Sequence, residues 1–393
     1  MPQHDSRLNR RRFLRTAGAA GLAALAPTAA LGQDAPKLPK RTLPGTDLEI
    51  TPIGYGSEFI EDLGLVDYIL KQGVNWIDSA WTYLQGNAER RVGEVLKNRN
   101  DVYVFTKPNK AIPPESPKEP YLQCINESLE RLQRDAIDIL LMHDCRTPEK
   151  VESKGAYEAF QEMRDAGKVK YFGLSMHYGV TECVRKATEL GWFDMMMPAW
   201  NFMSPPELTD ALKAAADKGI GIVTIKTVQP LCTDCPTWWF PATEEHRQVL
   251  QGDNLFQAAI KWTLSHDFVT GTVIAMGNYD EAAQDIAAAS EATLKRGEAE
   301  ALRHYAERQT AGYCRGCGAC ERVCPQRIAI ADTLRYGVYA TGYGQYPEAR
   351  RKYAALPTGR TVAACADCGA CEAACPYGLP VRERLKGAHR VLA

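Results

Sequence analysis

Charge of one sign is what this sequence lacks most plainly: Lys and Arg number 47 against 48 Asp and Glu, a formal net charge of -1. A chain that binds nucleic acid carries a basic excess or stripe, so no nucleic acid is expected as a partner. Long apolar runs are missing too. The best candidate, about Thr16 to Ala26, is too short and too rich in Ala and Gly to cross a hydrocarbon core of about 30 Å, so no stable membrane span is expected. The first strand-like run, Ile53-Gly54-Tyr55, is not followed by a G-x-G-x-x-G turn, which argues against an open doubly wound dinucleotide fold. Cysteine is sparse through most of the chain, which excludes a disulfide-dense scaffold, yet eight of the 13 crowd into the last 80 residues. With 45% hydrophobic and 24% charged residues the composition is ordinary globular, and 393 residues suit a core of about 250 residues plus an appendage.

The cysteines at the carboxyl end fall into two runs of the same form. Cys314-x2-Cys317-x2-Cys320-x3-Cys324-Pro325 is followed by Cys365-x2-Cys368-x2-Cys371-x3-Cys375-Pro376. This is the bacterial ferredoxin spacing for a [4Fe-4S] cluster: three thiolates two residues apart wrap one corner of a cubane, and the fourth, just before Pro, points to the other cluster. Cys314, Cys317, Cys320 and Cys375 are therefore assigned to one cluster, and Cys365, Cys368, Cys371 and Cys324 to the second. Structural zinc and disulfides compete with this reading, but zinc pairs two C-x2-C knuckles and has no use for the third cysteine or the Cys-Pro. Tyr336, Tyr339, Tyr343, Tyr346 and Tyr353, between the two runs, read as packing residues. At the amino end, Arg10-Arg11-Arg12-Phe13-Leu14, a short apolar run and Ala30-Leu31-Gly32 resemble a twin-arginine export signal with its cleavage site. Residues 1–32 are set aside as a signal peptide, and periplasmic export of the folded, cofactor-loaded protein is expected. Without that segment's five Arg and one Asp the remainder carries a net charge of -5.

Between the ends, short apolar runs alternate with amphipathic ones. Strands are predicted at Ile53–Tyr55, Val74–Asp78, Val102–Phe105, Ile137–Leu141, Val169–Leu174, Asp194–Met197, Gly221–Ile225 and Thr272–Ala275, with helices between them. Eight strands in strict alternation over about 250 residues predict an α/β fold of the (β/α)8 TIM-barrel type, here spanning 37–295. A helical linker at 296–310 and a ferredoxin-like domain with two [4Fe-4S] clusters at 311–393 complete the chain.

Chemistry in such a barrel sits where strands end. Asp78 ends the second strand, Lys107 follows the third, His143 ends the fourth, and Tyr83 lies in the loop after Asp78. Reducing a carbonyl creates an alkoxide that needs a proton. A phenol of pKa about 10 supplies one sparingly unless a cation acidifies it. Tyr83 is the expected acid/base, Lys107 the cation that acidifies it, Asp78 the tether of Lys107, and His143 the ligand of the substrate oxygen.

These stretches resemble the aldo-keto reductase family: Gly73 to Tyr83 with Asn87-Ala88-Glu89, Phe105-Thr106-Lys107-Pro108, Asp138 to His143, Gly167 to Ser175, and the opening Arg41 to Leu48. With the ferredoxin-type tail the resemblance narrows to the family's iron-sulfur branch. It implies an oxidoreductase acting on a small-molecule carbonyl or alcohol, with NAD(P)(H) held by Gly56, Ser57, Ser175, Lys226 and Gly277. The sequence departs from the family at several of these places. Met176, Met197 and Ile225 stand where the family favours polar or aromatic residues, and Met276 and Ala282, with Asp280, Glu281 and Asp285 nearby, replace the cations that neutralise a 2′-phosphate. Lys226, or a loop cation, is the expected substitute.

Soluble nicotinamide belongs to the cytosol, so an exported protein either carries one out bound or uses none. Passing a hydride's two electrons to clusters that take one each needs an intermediary such as a flavin, for which no motif is legible. A redox partner protein is therefore expected beside the small-molecule substrate. A lyase or isomerase using the same proton-transfer groups, and an electron-transfer module with a non-catalytic barrel, are the alternative readings. The long segment Thr227 to Gly252 carries Cys232-x2-Cys235, read as a disulfide, and Trp238-Trp239-Phe240, which with Trp81, Trp200 and Phe202 read either as an aromatic pocket wall or as interior packing. Cys124, Cys145 and Cys183 read as buried thiols, and His177 and Asn201 border the expected mouth.

Overall fold

The computed structural model describes residues 38–232 and 255–393. The expected signal peptide, Cys235, Trp238, Trp239 and Phe240 lie outside the described residues.

Eight parallel strands close into a barrel in sequence order: β3 (Ile53–Gly56), β4 (Trp76–Asp78), β5 (Tyr103–Thr106), β6 (Ile137–Met142), β7 (Val169–Met176), β8 (Met195–Pro198), β9 (Gly221–Thr224) and β10 (Gly271–Ile274), with β10 pairing back onto β3. The expected (β/α)8 architecture is present. A small antiparallel hairpin, β1 (Arg41–Thr42) with β2 (Glu49–Ile50), closes the end where strands begin and sends Leu43, Leu48 and Ile50 into the barrel interior.

Alternation along each strand sorts side chains between two cores. Trp76, Phe105, Ile139, Leu141, Met195, Met197, Val223 and Ile225 fill the inside of the barrel. Their neighbours Ile77, Val104, Leu140, Met196 and Ile222 face the surrounding helices. Gly54 is small of necessity, because a Cβ there would lie 2.3 Å from the Trp76 ring. The helix Arg296–Arg308, expected as a linker, is packed: Ala301, Leu302 and Tyr305 are buried and Glu298 receives a buried ion pair from Lys261 at 3.0 Å.

The C-terminal domain is a doubled unit. Cys314 and Cys365 are 51 residues apart, and the same offset relates the short helices Ala319–Arg322 and Ala370–Ala373 and the starts of the long helices Ile330–Thr341 and Val381–Leu392. Glu321 accepts the backbone N–H of Ala331 at 2.8 Å, and Glu372 accepts that of Arg382 at 3.0 Å. An additional helix, Tyr346–Ala354, lies between the two copies, and among the described residues no helix is long and apolar enough to cross a membrane.

Candidate active site and cluster-binding domain

Lys107 is buried at the end of β5 with each ammonium hydrogen bond accounted for: Asp78 Oδ1 at 2.5 Å, Asp78 Oδ2 at 2.7 Å and the Ser79 carbonyl at 2.7 Å. Asp78, ending β4, is buried as well. Tyr83 opens a single turn, Tyr83–Gly86, in which Leu84 and Gln85 take positive φ values of 46° and 58°, a strained backbone of the kind that gathers at functional sites. Lys107 Nζ lies 5.2 Å from the Tyr83 ring centroid, and His143 meets the same ring edge-on at 5.8 Å. The structure thus brings the four predicted residues together.

The phenol of Tyr83 is pushed well above its ordinary range, first by burial and then by the carboxylates of Glu58 and Asp78. Lys107 lies beside the ring, with its hydrogens directed to Asp78 and Ser79. His143 is held neutral by burial and by the nearby charges of Lys107 and Lys110, and its Nδ1 has no hydrogen-bond partner. Lys110, which sequence reasoning missed, is pushed down to about 8 by burial and by Arg335.

The predicted nicotinamide contacts are dispersed or already engaged. Gly56 and Gly277 line a cleft of about 200 Å³ beside Tyr83. Ser57 is buried with an unpartnered hydroxyl. Ser175 is buried too, donating to the Met142 carbonyl at 3.2 Å and accepting from the Asp144 N–H at 3.1 Å. The Gly277 N–H donates to Glu281 at 3.0 Å, so a carboxylate sits where a phosphate was expected. Lys226 lines the same cleft but is already engaged: its Nζ donates to the Tyr339 hydroxyl at 3.0 Å and lies 3.7 Å from Glu58. The cleft is lined by Glu58, Glu61, Asp62, Asp78 and Glu281 against Lys226, and Gly342, Tyr343 and Gln345 of the C-terminal domain form its far wall. Pockets that hold drug-sized molecules run to about 300–1,000 Å³. The cleft by itself is smaller than that, and five carboxylates against one cation make it a poor match for a pyrophosphate.

The expected aromatic wall is also absent among its described members. Trp200 follows the outward phase of β8 and packs on Trp262, His266 and Phe268. Phe202 packs on Trp262 and Tyr305, and Trp81 donates to Glu127 at 2.6 Å beneath the Arg131 guanidinium. Cys232 is buried, its thiol directed at the Val228 carbonyl at 3.4 Å. Cys124, Cys145 and Cys183 are buried as expected.

The C-terminal domain sits on the barrel mouth. Arg146, just past β6, holds Asp144 at 2.6 Å and Asp332 at 2.7 Å, and Arg335 donates to Asp332 at 2.9 Å. Tyr178 donates to the Ala331 carbonyl at 2.8 Å, and the Gly179 N–H to the Gly316 carbonyl at 3.0 Å. Lys352 reaches Glu58 at 3.2 Å and lies 6.0 Å from the Tyr83 ring. Burial opposes ionisation of Glu58, but Lys352 and Lys226 hold its carboxyl well below the usual carboxylate range. Tyr339 and Tyr343 stack at 5.4 Å over this ion group, roofing the mouth as well as packing. The sequence offered one signal for Glu58 and Lys226, their positions just after β3 and β9, where barrel chemistry gathers.

The eight cysteines divide as expected. Cys314, Cys317, Cys320 and Cys375 line one small cavity, and Cys324, Cys365, Cys368 and Cys371 line another. Each set takes three thiols from one run and one from the other, which fits a [4Fe-4S] cubane and its soft thiolate ligands. The first set adjoins the mouth, since the Gly316 carbonyl accepts from Gly179; Cys368 of the second is exposed.

Comparison with known proteins agrees with this architecture. Residues 56–234 match the aldo/keto reductase family and residues 309–379 a 4Fe-4S dicluster domain. The uncharacterized oxidoreductase YqkF of Bacillus subtilis is 30% identical over 149 residues, covering 35% of this chain and 48% of that protein, so the match spans about half of its length. L-galactose dehydrogenase of Arabidopsis thaliana is 23% identical over 285 residues, covering 65% of this chain and 89% of that protein. The solved holo form of aldo-keto reductase AKR11C1 from Bacillus halodurans superposes with a TM-score of 0.56 at 22% identity over 68% of this chain and 96% of that one, a likeness of fold. The chain carries an aldo/keto reductase family domain and, behind it, a 4Fe-4S dicluster domain.

Proposed function

We propose that this is an exported oxidoreductase that interconverts a carbonyl and an alcohol at Tyr83 and exchanges the electrons through two iron-sulfur clusters with a one-electron carrier protein. The observation that carries this reading is the Gly179–Gly316 hydrogen bond, which ties the loop of the first cysteine set to the end of β7 at the barrel mouth. Bound clusters would supply one-electron storage, one electron apiece; the hydride that leaves the alcohol carbon would go first to a two-electron acceptor of the flavin or nicotinamide class, which would pass its electrons on singly, while the hydroxyl proton goes to Tyr83. Cys314, Cys317, Cys320 and Cys375 would hold the cluster nearer the mouth. Cys365, Cys368, Cys371 and Cys324 would hold the outer one, where exposed Cys368 suits a docking carrier.

The barrel's own residues handle the proton. Tyr83 rests protonated, the form that donates to a carbonyl oxygen, and neutral His143 beside it can donate a hydrogen bond to the same oxygen. Asp78 and Lys107 are a buried pair that fixes the strand ends beneath them. Among relatives, the dehydrogenase named for L-galactose makes sugars the first substrates to try. Export is supported by Arg10-Arg11-Arg12 and the apolar run after it, and with it a periplasmic location.

The test is anaerobic. Holoprotein is mixed with L-galactose or other sugars and their oxidised lactones while the cluster absorbance is followed. Substrate-dependent bleaching or recovery, lost in Tyr83→Phe, is expected; a spectrum indifferent to every candidate would leave the lyase reading in its place. Changing Arg11 and Arg12 to Lys should retain the protein in the cytoplasm, and unchanged export would overturn the assignment of the leader.

A further inference from the structure

Two cavities meet at the barrel mouth, and they have opposite charge. The acid-lined cleft beside Tyr83 has been described. The other, about 750 Å³, lies between the barrel and the C-terminal domain and shares His177 and Lys226 with the first. Six cations line it, Lys226, Arg315, Arg335, Arg350, Arg384 and Arg390, against the single carboxylate of Glu383.

Two of the six are already answered: Lys226 by Glu58 at 3.7 Å, and Arg335 by Asp332 at 2.9 Å. Arg315, Arg350 and Arg390 have no carboxylate within 4 Å among the described residues. The Nε atoms of Arg315 and Arg335 are buried with no hydrogen-bond partner. Arg335 is itself only 8% exposed. A guanidinium N–H withdrawn from water without an acceptor is unfavourable, and a bound anion removes that cost. The Arg315 guanidinium lies 4.0 Å from the Tyr377 ring centroid, which fixes the plane of its donor fork. Cys314, from the cysteine set nearer the mouth, lines the same cavity.

We infer that this cavity binds a small organic molecule bearing a phosphate or carboxylate. The anion sits on Arg315 and the Arg350 and Arg390 rim, and the organic part extends toward His177 and Lys226, where the two cavities join. A ligand so placed lies between the Tyr83 site and Cys314, the position a two-electron cofactor or an acidic substrate would occupy. Its use there rests on the redox reading; its binding does not.

Two matched pairs of probes test the inference by calorimetry on cluster-loaded protein at low salt. Flavin mononucleotide against riboflavin represents a phosphorylated cofactor, and glucuronate against glucose an acidic substrate. In at least one pair the charged member should bind ten times or more tighter than its neutral mate. Arg350→Gln and Arg390→Gln, both at exposed positions, should each shrink that ratio severalfold, and Arg315→Gln should abolish it with the iron content unchanged. The pair that responds names the source of the anion. Equal binding within both pairs, or a charge preference that survives the Arg350 and Arg390 substitutions, overturns the proposal. Tyr83→Phe should bind the same probes as wild type, so a failed redox reading and a failed anion site are separately visible.

Discussion

The ammonium of Lys107 is clasped by both carboxylate oxygens of Asp78, at 2.5 and 2.7 Å, at a point where neither side chain meets solvent. Burial pulls the two apart electrostatically, raising the Asp78 carboxyl and lowering the Lys107 ammonium, while their mutual attraction opposes both shifts. Removing one member of such a pair leaves a buried charge without its partner, at about 3–5 kcal/mol. Asp78→Asn and Lys107→Met should each lower the unfolding free energy, read from urea titration, by that order. The double variant should cost less than the two single changes added together, and strict additivity would mean that the pair is not coupled.

Tyr83 carries the proton in the proposed reaction, so Tyr83→Phe should reduce turnover by about 10²–10⁴ while leaving the clusters and the unfolding midpoint close to wild type. Its raised pKa has a second consequence, shared with the buried phenols of Tyr178 and Tyr343, where burial is again the first cause. A phenol whose folded value lies above the unfolded value of about 10 contributes stability that is complete below that pH and is lost as pH rises further. Denaturant midpoints should hold steady to about pH 10 and fall beyond it. Tyr83→Phe should make the fall shallower; an alkaline limb of unchanged steepness would contradict the burial of this phenol.

The cross-run sharing of cysteines can be read from pairs of substitutions. Cys314→Ser and Cys375→Ser, distant in sequence but lining the same cavity, should lose the same cluster and, combined, lose no more iron than either alone. Cys324→Ser should remove the other cluster, so adding it to Cys375→Ser should empty the domain. If Cys375→Ser instead acted with Cys365→Ser and left the Cys314 set filled, each run would be holding its own cluster.

The barrel was legible in the sequence because each strand is a short apolar run between amphipathic stretches, and the cysteine pairing because spacing alone encodes it. The misplaced Trp200 shows where that reading stopped. On β8, Met195 and Met197 point into the barrel, so Met196 and, continuing the phase, Trp200 point out toward the helices; a count by twos would have removed it from the pocket wall. No local pattern announces Glu58 with Lys352, or Arg146 with Asp332, because each pair joins a barrel loop to a helix that lies some two to three hundred residues further along. The same holds for the carboxylate of Glu58 beside the Tyr83 phenol: the fold brings it near, and it lies outside the motif from which Tyr83 and Lys107 were read.

The pair Glu58–Lys352 therefore predicts how the two domains come apart. Glu58 is held ionised by Lys352 and Lys226 against the penalty of burial, and Asp144 by Arg146 and Arg335. A carboxyl depressed in the folded state contributes stability that is present above its unfolded value, about 4, and lost as pH falls through its folded one. Acid should loosen the mouth, seen as faster amide exchange in the helices Ile330–Thr341 and Tyr346–Ala354 as pH falls below about 4, before β6 and β7 exchange. Glu58→Gln leaves Lys226 and Lys352 close together without their shared counter-charge and should cost about 3 kcal/mol or more at pH 7, while flattening the acid limb. Lys352→Met in the same background should recover part of the loss by removing one of the two repelling cations. If the double variant were no more stable than Glu58→Gln alone, Lys352 would not be bound to the barrel through this carboxylate, and docking would rest on the Arg146–Asp332 contact instead.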